Sequence, residues 1–377
     1  MRLIVATSSY PARADEAVNA GVFVRDIVGQ LVEQGHGVHV LTPEKGEPIS
    51  GSPAPVRTFA WGGSEKVLTR LNPRRPADLL RLARLMWGGR AALHRLVAET
   101  RAEGLIGMWA IPAGFWAEGA AVPYAVWVLG SDIWGADKYP LGRNIVRQVL
   151  RRARHVFANS LYLVEGVQQL AGREAEFLAA GRRLPVEAVS AAPLPAGRRH
   201  LLFIGRWDHA KGIDVLLEAI EKVAAQVPNV HLHLFGGGPL GPEIKVRARQ
   251  GRLRECVTVY GFADPPSVVG YCKACEALII PSRIESIPVL YSDALQCGCP
   301  VVVTEVGDLG RLVREQGTGL VCPSEDPAAL ADAICRMLSD GAINRAHYAP
   351  ALARAAAMFD PARSAARCAE VLARPAS

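Results

Sequence analysis

The chain has 377 residues, half of them hydrophobic and 21% charged, with a formal net charge of +7. That length favours two ordinary cores over one, and the composition excludes a disordered or low-complexity chain. No run reaches the eighteen or so apolar residues of a spanning helix. The first apolar run, residues 3–7, is too short for an export signal and reads as a buried strand.

Taken in chain order, apolar runs alternate with helical patterns from end to end. Strands are expected at 3–6, 38–41, 124–128, 156–158, 201–204, 230–235, 257–260, 277–280 and 300–303. Most are continuous rather than alternating, as in parallel strands covered on both faces. Helices are expected at 22–34, 77–101, 143–153, 212–225, 289–297 and 327–339. Repeated β-α units imply an α/β fold with doubly wound sheets, and there are too many strands for one. The Pro-, Ala- and Gly-rich stretch 182–199 precedes a fresh strand, "HLLFIGRW", and places a domain break there. Two such domains, 1–190 and 191–355, would leave ligands at the carboxyl ends of the strands, in the cleft between them.

Charge is uneven. Residues 1–190 hold 23 Lys and Arg against 17 Asp and Glu, and residues 66–101 hold nine basic and two acidic side chains. A second cluster, "RNIVRQVLRRAR", spaces Arg143, Arg147 and Arg151 by four. Such a field favours an anionic partner. Leu, Met and Trp interleave with Arg over 66–101. A membrane-surface helix and a helix packed on the sheet with a solvated basic face both fit that pattern, and Gly88-Gly89 suggests two pieces. Nucleic acid is set aside, because no binding module or aromatic platform accompanies the charge.

All eight cysteines lie at or beyond Cys256. Cys272, Cys275, Cys297 and Cys299 would suffice for a four-thiolate zinc site, but C-x-C is an unusual pair, and buried thiols packing as small hydrophobes are favoured. That usage points to a reducing cytoplasm. His231 and His233 share a strand face, where packed histidines outrank a metal pair.

Chemistry gathers in the second half. The strand 201–204 runs into "GRWDHAKGIDVLLEAI", where Gly205 permits a sharp exit and Arg206 and Lys211 precede a helix. A bidentate Arg, a point-charge Lys and a helix N-terminus suit a diphosphate. "LFGGGP" (234–239) is not a dinucleotide fingerprint; Gly236-Gly237-Gly238 indicates a tight turn or a close backbone approach. In "PSRIESIPVLYSDALQCGCPVVVT", Glu285 falls on a turn, Ser286 suits an N-cap, Pro288 suits the first helical position, and Asp293 lies two turns on.

In order and spacing, "IGRWDHAKGIDVLLEAI", "LFGGGP", "VTVYGFA", "PSRIESIPVLYSDALQCGCPVV" and "GTGLVCPSEDPAALADAI" resemble the retaining group 1 glycosyltransferases, the family of glycogen synthase-like and lipopolysaccharide sugar transferases. "GSDIW" and "VFANSLYL" in the first half match less sharply. The resemblance implies a GT-B fold of two Rossmann-like domains, with residues 356–377 as a helix returning to the first. It implies that Arg206 and Lys211 hold the diphosphate of a nucleoside-diphosphate sugar. Glu285 would bind the sugar hydroxyls, the backbone of Ile287, Pro288, Val289 and Leu290 would approach sugar and phosphate, and Asp293 would take the ribose contact. Phe262 would line the base, and Gly21, Gly205 and Gly236 would admit backbone close to the donor.

Three departures stand out. The second acid is Asp rather than Glu, Ser286-Ile287-Pro288 replaces Gly-Phe-Gly, and Leu129 stands where the family often has His before "GSD". Asp132 either orients an acceptor or caps the following helix. With cations at the diphosphate and no Asp-x-Asp in the chain, metal-independent transfer with no cofactor is expected. The stretch 66–101, read as a membrane-surface helix, leads to the expectation of a lipid-linked or polysaccharide-precursor acceptor. The enzyme would be cytoplasmic, with association with the membrane's inner face as a further expectation. A nucleotide-sugar epimerase and a silent sugar-nucleotide-binding subunit are the competing readings.

Overall fold

The structure is a computed structural model that describes residues 1–11, 21–46, 49–63, 71–72, 75–136, 141–339 and 345–374. The chain divides into two units. Met1–Ala180 with Pro361–Ser377 form the first, and Gly181–Asp360 the second.

The first unit is built on a parallel sheet. Its strands are β1 (Arg2–Ala6), β2 (Gly37–Pro43), β3 (Val56–Phe59), β4 (Gly104–Met108), β5 (Tyr124–Val128), β6 (His155–Ala158) and β7 (Glu176–Phe177), in the spatial order β3-β2-β1-β4-β5-β6-β7. β4 and β5 are buried along their whole length, as continuous apolar strands covered on both faces must be. The helix Val22–Glu33 turns Val24, Ile27, Val28 and Leu31 onto the sheet. Beside it packs the C-terminal helix Pro361–Ala373. Ser364 Oγ donates to Ala179 O (3.3 Å), Gln34 Nε2 donates to Ala362 O (2.8 Å), and Arg367 pairs with Glu176 (2.8 and 2.9 Å).

The second unit repeats the plan with β8 (Arg199–Arg206), β9 (Val230–Gly237), β10 (Val257–Val259), β11 (Ala277–Ile280), β12 (Val301–Thr304) and β13 (Gly319–Cys322). Their order is β10-β9-β8-β11-β12-β13, all parallel. In both sheets the winding reverses once, between β1 and β4 and between β8 and β11. The crevice at the carboxyl ends of such strands is where this architecture places ligands.

The units part at Ala180 and Asp360 rather than at residues 190 and 355. Residues 182–192 are tied to the second unit by hydrogen bonds that composition does not reveal. Gln296 Nε2 donates to Arg182 O (2.7 Å), Lys273 Nζ to Val186 O and Val189 O (2.7 and 2.9 Å), and Ala192 N to Gly270 O (2.9 Å).

The cluster on the helix Gly142–Arg152 makes hydrogen bonds within the first unit while Arg143, Arg151 and Arg152 stay exposed. Arg147 Nε and Arg151 Nε donate to Leu170 O (2.9 Å) and Ala171 O (2.8 Å), the last carbonyls of the helix Leu161–Ala171. Cations there satisfy orphan acceptors and oppose the helix dipole. Arg152 and Gln148 pair with the buried Glu118. Part of this charge is thus engaged by the protein's own carbonyls and Glu118. The segment 77–101 is two helices, Pro76–Ala83 and Gly89–Thr100, joined through a π-helical turn at Arg84–Gly88. A Cβ at Gly89 would fall 2.4 Å from the Trp116 ring, so this glycine seats the second helix against the core.

The histidine strand face is also settled. His200 Nδ1 lies 3.0 Å from His233 Nε2, His233 Nδ1 lies 3.1 Å from Tyr260 Oη, and His231 Nε2 lies 2.8 Å from Thr258 Oγ1. These are packed, hydrogen-bonded side chains. Among the described residues, no group of His, Cys, Asp or Glu is arranged to hold a metal ion.

Candidate active site

β8 continues through Gly205 to Arg206, and β9 through Gly236 to Gly237, two residues beyond the apolar runs. The reason is Trp207. Its buried indole donates to Phe235 O (3.3 Å), and its backbone N donates to Gly237 O (2.9 Å). Gly236 (φ +136°) lies so close to β8 that a Cβ would meet Gly205 O at 1.8 Å and Trp207 Nε1 at 2.9 Å. The close approach foreseen for this glycine run is to the chain's own β8 and Trp207. Gly205 is accordingly a strand residue rather than the exit.

The exit comes at Asp208, which organises the two cations. Its Oδ1 accepts from Lys211 N (3.2 Å), capping the short turn His209–Lys211, and its Oδ2 pairs with Arg206 (3.2 Å). Arg206 itself is open to solvent, its side chain 68% exposed. Gly212 then takes a left-handed conformation (φ +63°) and caps the helix Ile213–Gln226. A Cβ there would fall 1.9 Å from Pro281 O, so the loop after β8 and the loop after β11 are in contact.

Glu285 sits in that second loop, and its carboxylate accepts from Lys211 Nζ. The pair is thus formed across the winding reversal by residues 74 apart in sequence. Arg206, on the neighbouring strand end, completes the charged edge. Ser286 and Ile287 are buried, and Pro288, Val289 and Leu290 half-buried. The helix begins at Val289 with Pro288 as its N-cap, two residues later than a Ser286 cap would give. Phe262 is 58% exposed and lies over Gly237, where a Cβ would come within 3.0 Å of its ring.

Asp293 departs from expectation. It is 1% exposed, and Arg182 takes both its oxygens, with Nε at 3.0 and 3.2 Å and Nη2 at 2.7 Å. Burial pushes its carboxyl pKa up, against the pull of the Arg182 charge and hydrogen bonds. The shorter side chain is turned into the unit and does not offer a ribose its carboxylate. Arg182 follows the first unit by two residues and carried no motif, so sequence reasoning missed it.

In the first unit, Asp132 is buried and accepts from the backbone N–H groups of Ala110 (2.8 Å), Gly130 (3.0 Å) and Leu129 (3.3 Å). Burial raises its pKa, opposed by those donors. It does not cap the helix Ser131–Trp134, which starts from Gly130 without a side-chain cap; its carboxylate instead ties the loop after β5 to Ala110. Gly21 starts the helix Val22–Glu33, and a Cβ there would strike Ser9 O at 1.8 Å, so its close approach is to the loop after β1. At the end of β4, Trp109 holds a left-handed conformation (φ 71°) unusual for an aromatic residue, with its ring edge-to-face on Phe23 (6.1 Å).

Two family models match the chain: a glycosyl transferase 4-like domain over residues 20–181 and glycosyl transferases group 1 over residues 198–340. The chain belongs to the group 1 glycosyltransferases. The curated relatives it resembles include a D-inositol 3-phosphate glycosyltransferase of Arthrobacter sp., 30% identical over 40% of this chain and 36% of that protein. Another of that name, from Corynebacterium urealyticum, is 27% identical over 86% of this chain and 79% of its own length. The chain spans less than half the length of several of the curated relatives it matches, 36 to 44% in three of them. Among solved structures, sucrose-phosphate synthase from Thermosynechococcus elongatus superposes with a TM-score of 0.78 at 20% identity, over 98% of this chain and 97% of that one. HepE of Anabaena, solved with UDP, gives 0.74 at 20% identity over 99% of both chains. These likenesses show the fold, two Rossmann-like units of the GT-B kind.

Proposed function

We propose that the protein is a retaining glycosyltransferase that moves a sugar from a nucleoside-diphosphate sugar to an acceptor hydroxyl. The observation that carries the proposal is the meeting of Lys211 and Glu285 at the winding reversal of the second sheet, with Arg206 at the end of β8, paired with the Asp208 that caps the Lys211 turn. Cations and an acid in contact suit a ligand that is anionic at one end and hydroxylated at the other. HepE structures contain UDP and UDP-glucose, which supports a donor of this class.

When the anomeric carbon–oxygen bond breaks, negative charge builds on the departing diphosphate. Arg206 and Lys211, at the end of β8 and in the turn after it, stabilise that charge, the kind of contribution that usually dominates. Glu285, released from Lys211 by the incoming phosphate, accepts hydrogen bonds from the sugar hydroxyls. The backbone at Ile287–Leu290 borders the sugar, and Phe262 offers a face to the base. No carboxylate is assigned beneath the sugar for a double displacement. The acceptor hydroxyl therefore attacks from the face the diphosphate leaves and passes its proton to the departing diphosphate oxygen, which retains the configuration.

For the acceptor we propose a lipid-linked or polysaccharide-precursor hydroxyl, met at an anionic membrane surface. Leu79, Leu80 and Trp87 are exposed on the two-piece helix, in a segment that also carries Arg75, Arg81 and Arg84. Apolar side chains among cations suit the headgroup boundary; Lys66, Arg70 and Arg74 lie outside the described residues. No described helix is long and apolar enough to cross a membrane. Equal partition onto anionic and neutral vesicles would count against this contact.

The test of the function is a screen of UDP-, GDP- and ADP-sugars for transfer and donor hydrolysis, repeated with Arg206→Ala and Lys211→Ala. Losing one preorganised cation is expected to reduce turnover by about a hundredfold or more. Turnover within twofold of the parent would refute the diphosphate assignment.

A further inference from the structure

We infer that Arg283 is a positioning residue of this site, fixing the loop that carries Lys211 against the loop that carries Glu285. The inference rests on the donor assignment above.

Arg283 stands two residues before Glu285 and reaches into the other loop. Its Nη1 donates to His209 O (2.8 Å), two residues before Lys211. Nη1 and Nη2 grip the Asp214 carboxylate on both oxygens (2.8 and 2.9 Å), and Nε donates to Glu325 (3.0 Å). The backbone N of Arg283 donates to Ala210 O (2.9 Å). One residue thus ties together the turn His209–Lys211, the first turn of the helix Ile213–Gln226, its own loop and the loop at Glu325.

Arg283 and Asp214 are each 22% exposed, sheltered enough for the fork to hold a defined geometry. Burial alone would raise the Asp214 carboxyl, but the Arg283 hydrogen bonds and charge hold it below its ordinary value. Asp214 also lies in the first turn of its helix, where a negative charge is favoured. A lysine could keep the charge but not the planar bidentate grip. The cluster braces the two loops that carry Lys211 and Glu285, on which the proposed chemistry depends. A shift of about 1 Å in such a group can cost roughly a hundredfold in rate.

The experiment measures binding of UDP, GDP and ADP and of their monophosphates by calorimetry. The readout is the preference of the best-bound base for diphosphate over monophosphate. Arg283→Lys and Arg283→Gln are each expected to reduce that preference about tenfold in protein whose circular dichroism matches the parent. Added to Lys211→Ala, the same changes are expected to take away nothing further, because Arg283 acts through Lys211. A preference kept within twofold in Arg283→Lys, or a loss that adds in full to that of Lys211→Ala, overturns the inference. If Arg283→Gln fails to fold, the lysine variant carries the test. Lys211→Ala with an unchanged preference would overturn the donor assignment itself, whereas an effect of Lys211→Ala without one of Arg283→Lys overturns this inference alone.

Discussion

Replacing Asp293 by Asn separates a structural acid from a ligand-binding one. Asp293 is 1% exposed and the Arg182 side chain 10%, with three contacts of 2.7 to 3.2 Å between them. Asn keeps the shape but removes the charge, leaving the guanidinium buried without its counter-ion. Breaking one partner of such a pair costs about 3–5 kcal/mol. With a urea dependence of roughly 2–3 kcal/mol per molar, the midpoint of the second unit should fall by about 1–2.5 M. Urea unfolding followed by hydrogen exchange in β11 and β12 would measure it. Replacing both partners, Arg182→Met with Asp293→Leu, should recover most of the loss, since a packed apolar pair avoids the desolvation penalty. The ratio of affinities for UDP and 2′-deoxy-UDP should not change in Asp293→Asn. A midpoint shift below about 0.3 M, together with loss of discrimination against the 2′-deoxy ligand, would refute the reasoning and return Asp293 to the ribose.

Further outcomes follow from other residues. Burial, with Arg198 nearby, holds His231 down at about 4, and burial, with the neighbouring histidines, holds His233 at about 3. The unfolded chain takes up these protons below about pH 6.5 and the folded chain does not, so stability should fall as pH drops from 6.5 towards 4. The expected loss is about 1–3 kcal/mol per pH unit, read from urea midpoints, and a His233→Phe variant should flatten the slope. Gly212→Ala forces a Cβ against Pro281 O from a left-handed conformation, and should lower turnover at least tenfold by spreading the two loops. Asp132→Ala orphans the N–H groups of Ala110 and Gly130 and should cost roughly 2–4 kcal/mol in thermal unfolding of the first unit.

The α/β alternation was legible because buried parallel strands read as continuous apolar runs. Four strands escaped: β13, "GLVC", although its run is apolar, and three that lack the signature. β4 is "GLIGM", and its glycines admit close neighbours, since a Cβ at Gly104 would crowd Leu372 and one at Gly107 would crowd Gly114. β3 is a four-residue edge strand with two exposed positions, and β7 has only two residues. Arg206, Lys211 and Glu285 were legible because their charge stands at the ends of apolar runs. The contact of Lys211 with Glu285 was not, since it depends on two strands lying side by side. Asp293 shows the limit of spacing: its place in the helix was read correctly, but the partner that turns it inward lies 111 residues away. The glycine run was read as a close approach, yet only the structure names Trp207 as what it approaches.

The central claim is that the ends of β8 and β11 receive a diphosphate on fixed cations and its sugar on an acid. A crystal structure of the protein with the nucleoside diphosphate it binds best tests this directly. The account predicts phosphate oxygens within hydrogen-bonding distance of Arg206 and Lys211, with Lys211 drawn away from Glu285. A nucleotide bound with neither cation in contact, and the Lys211–Glu285 pair intact, would contradict it.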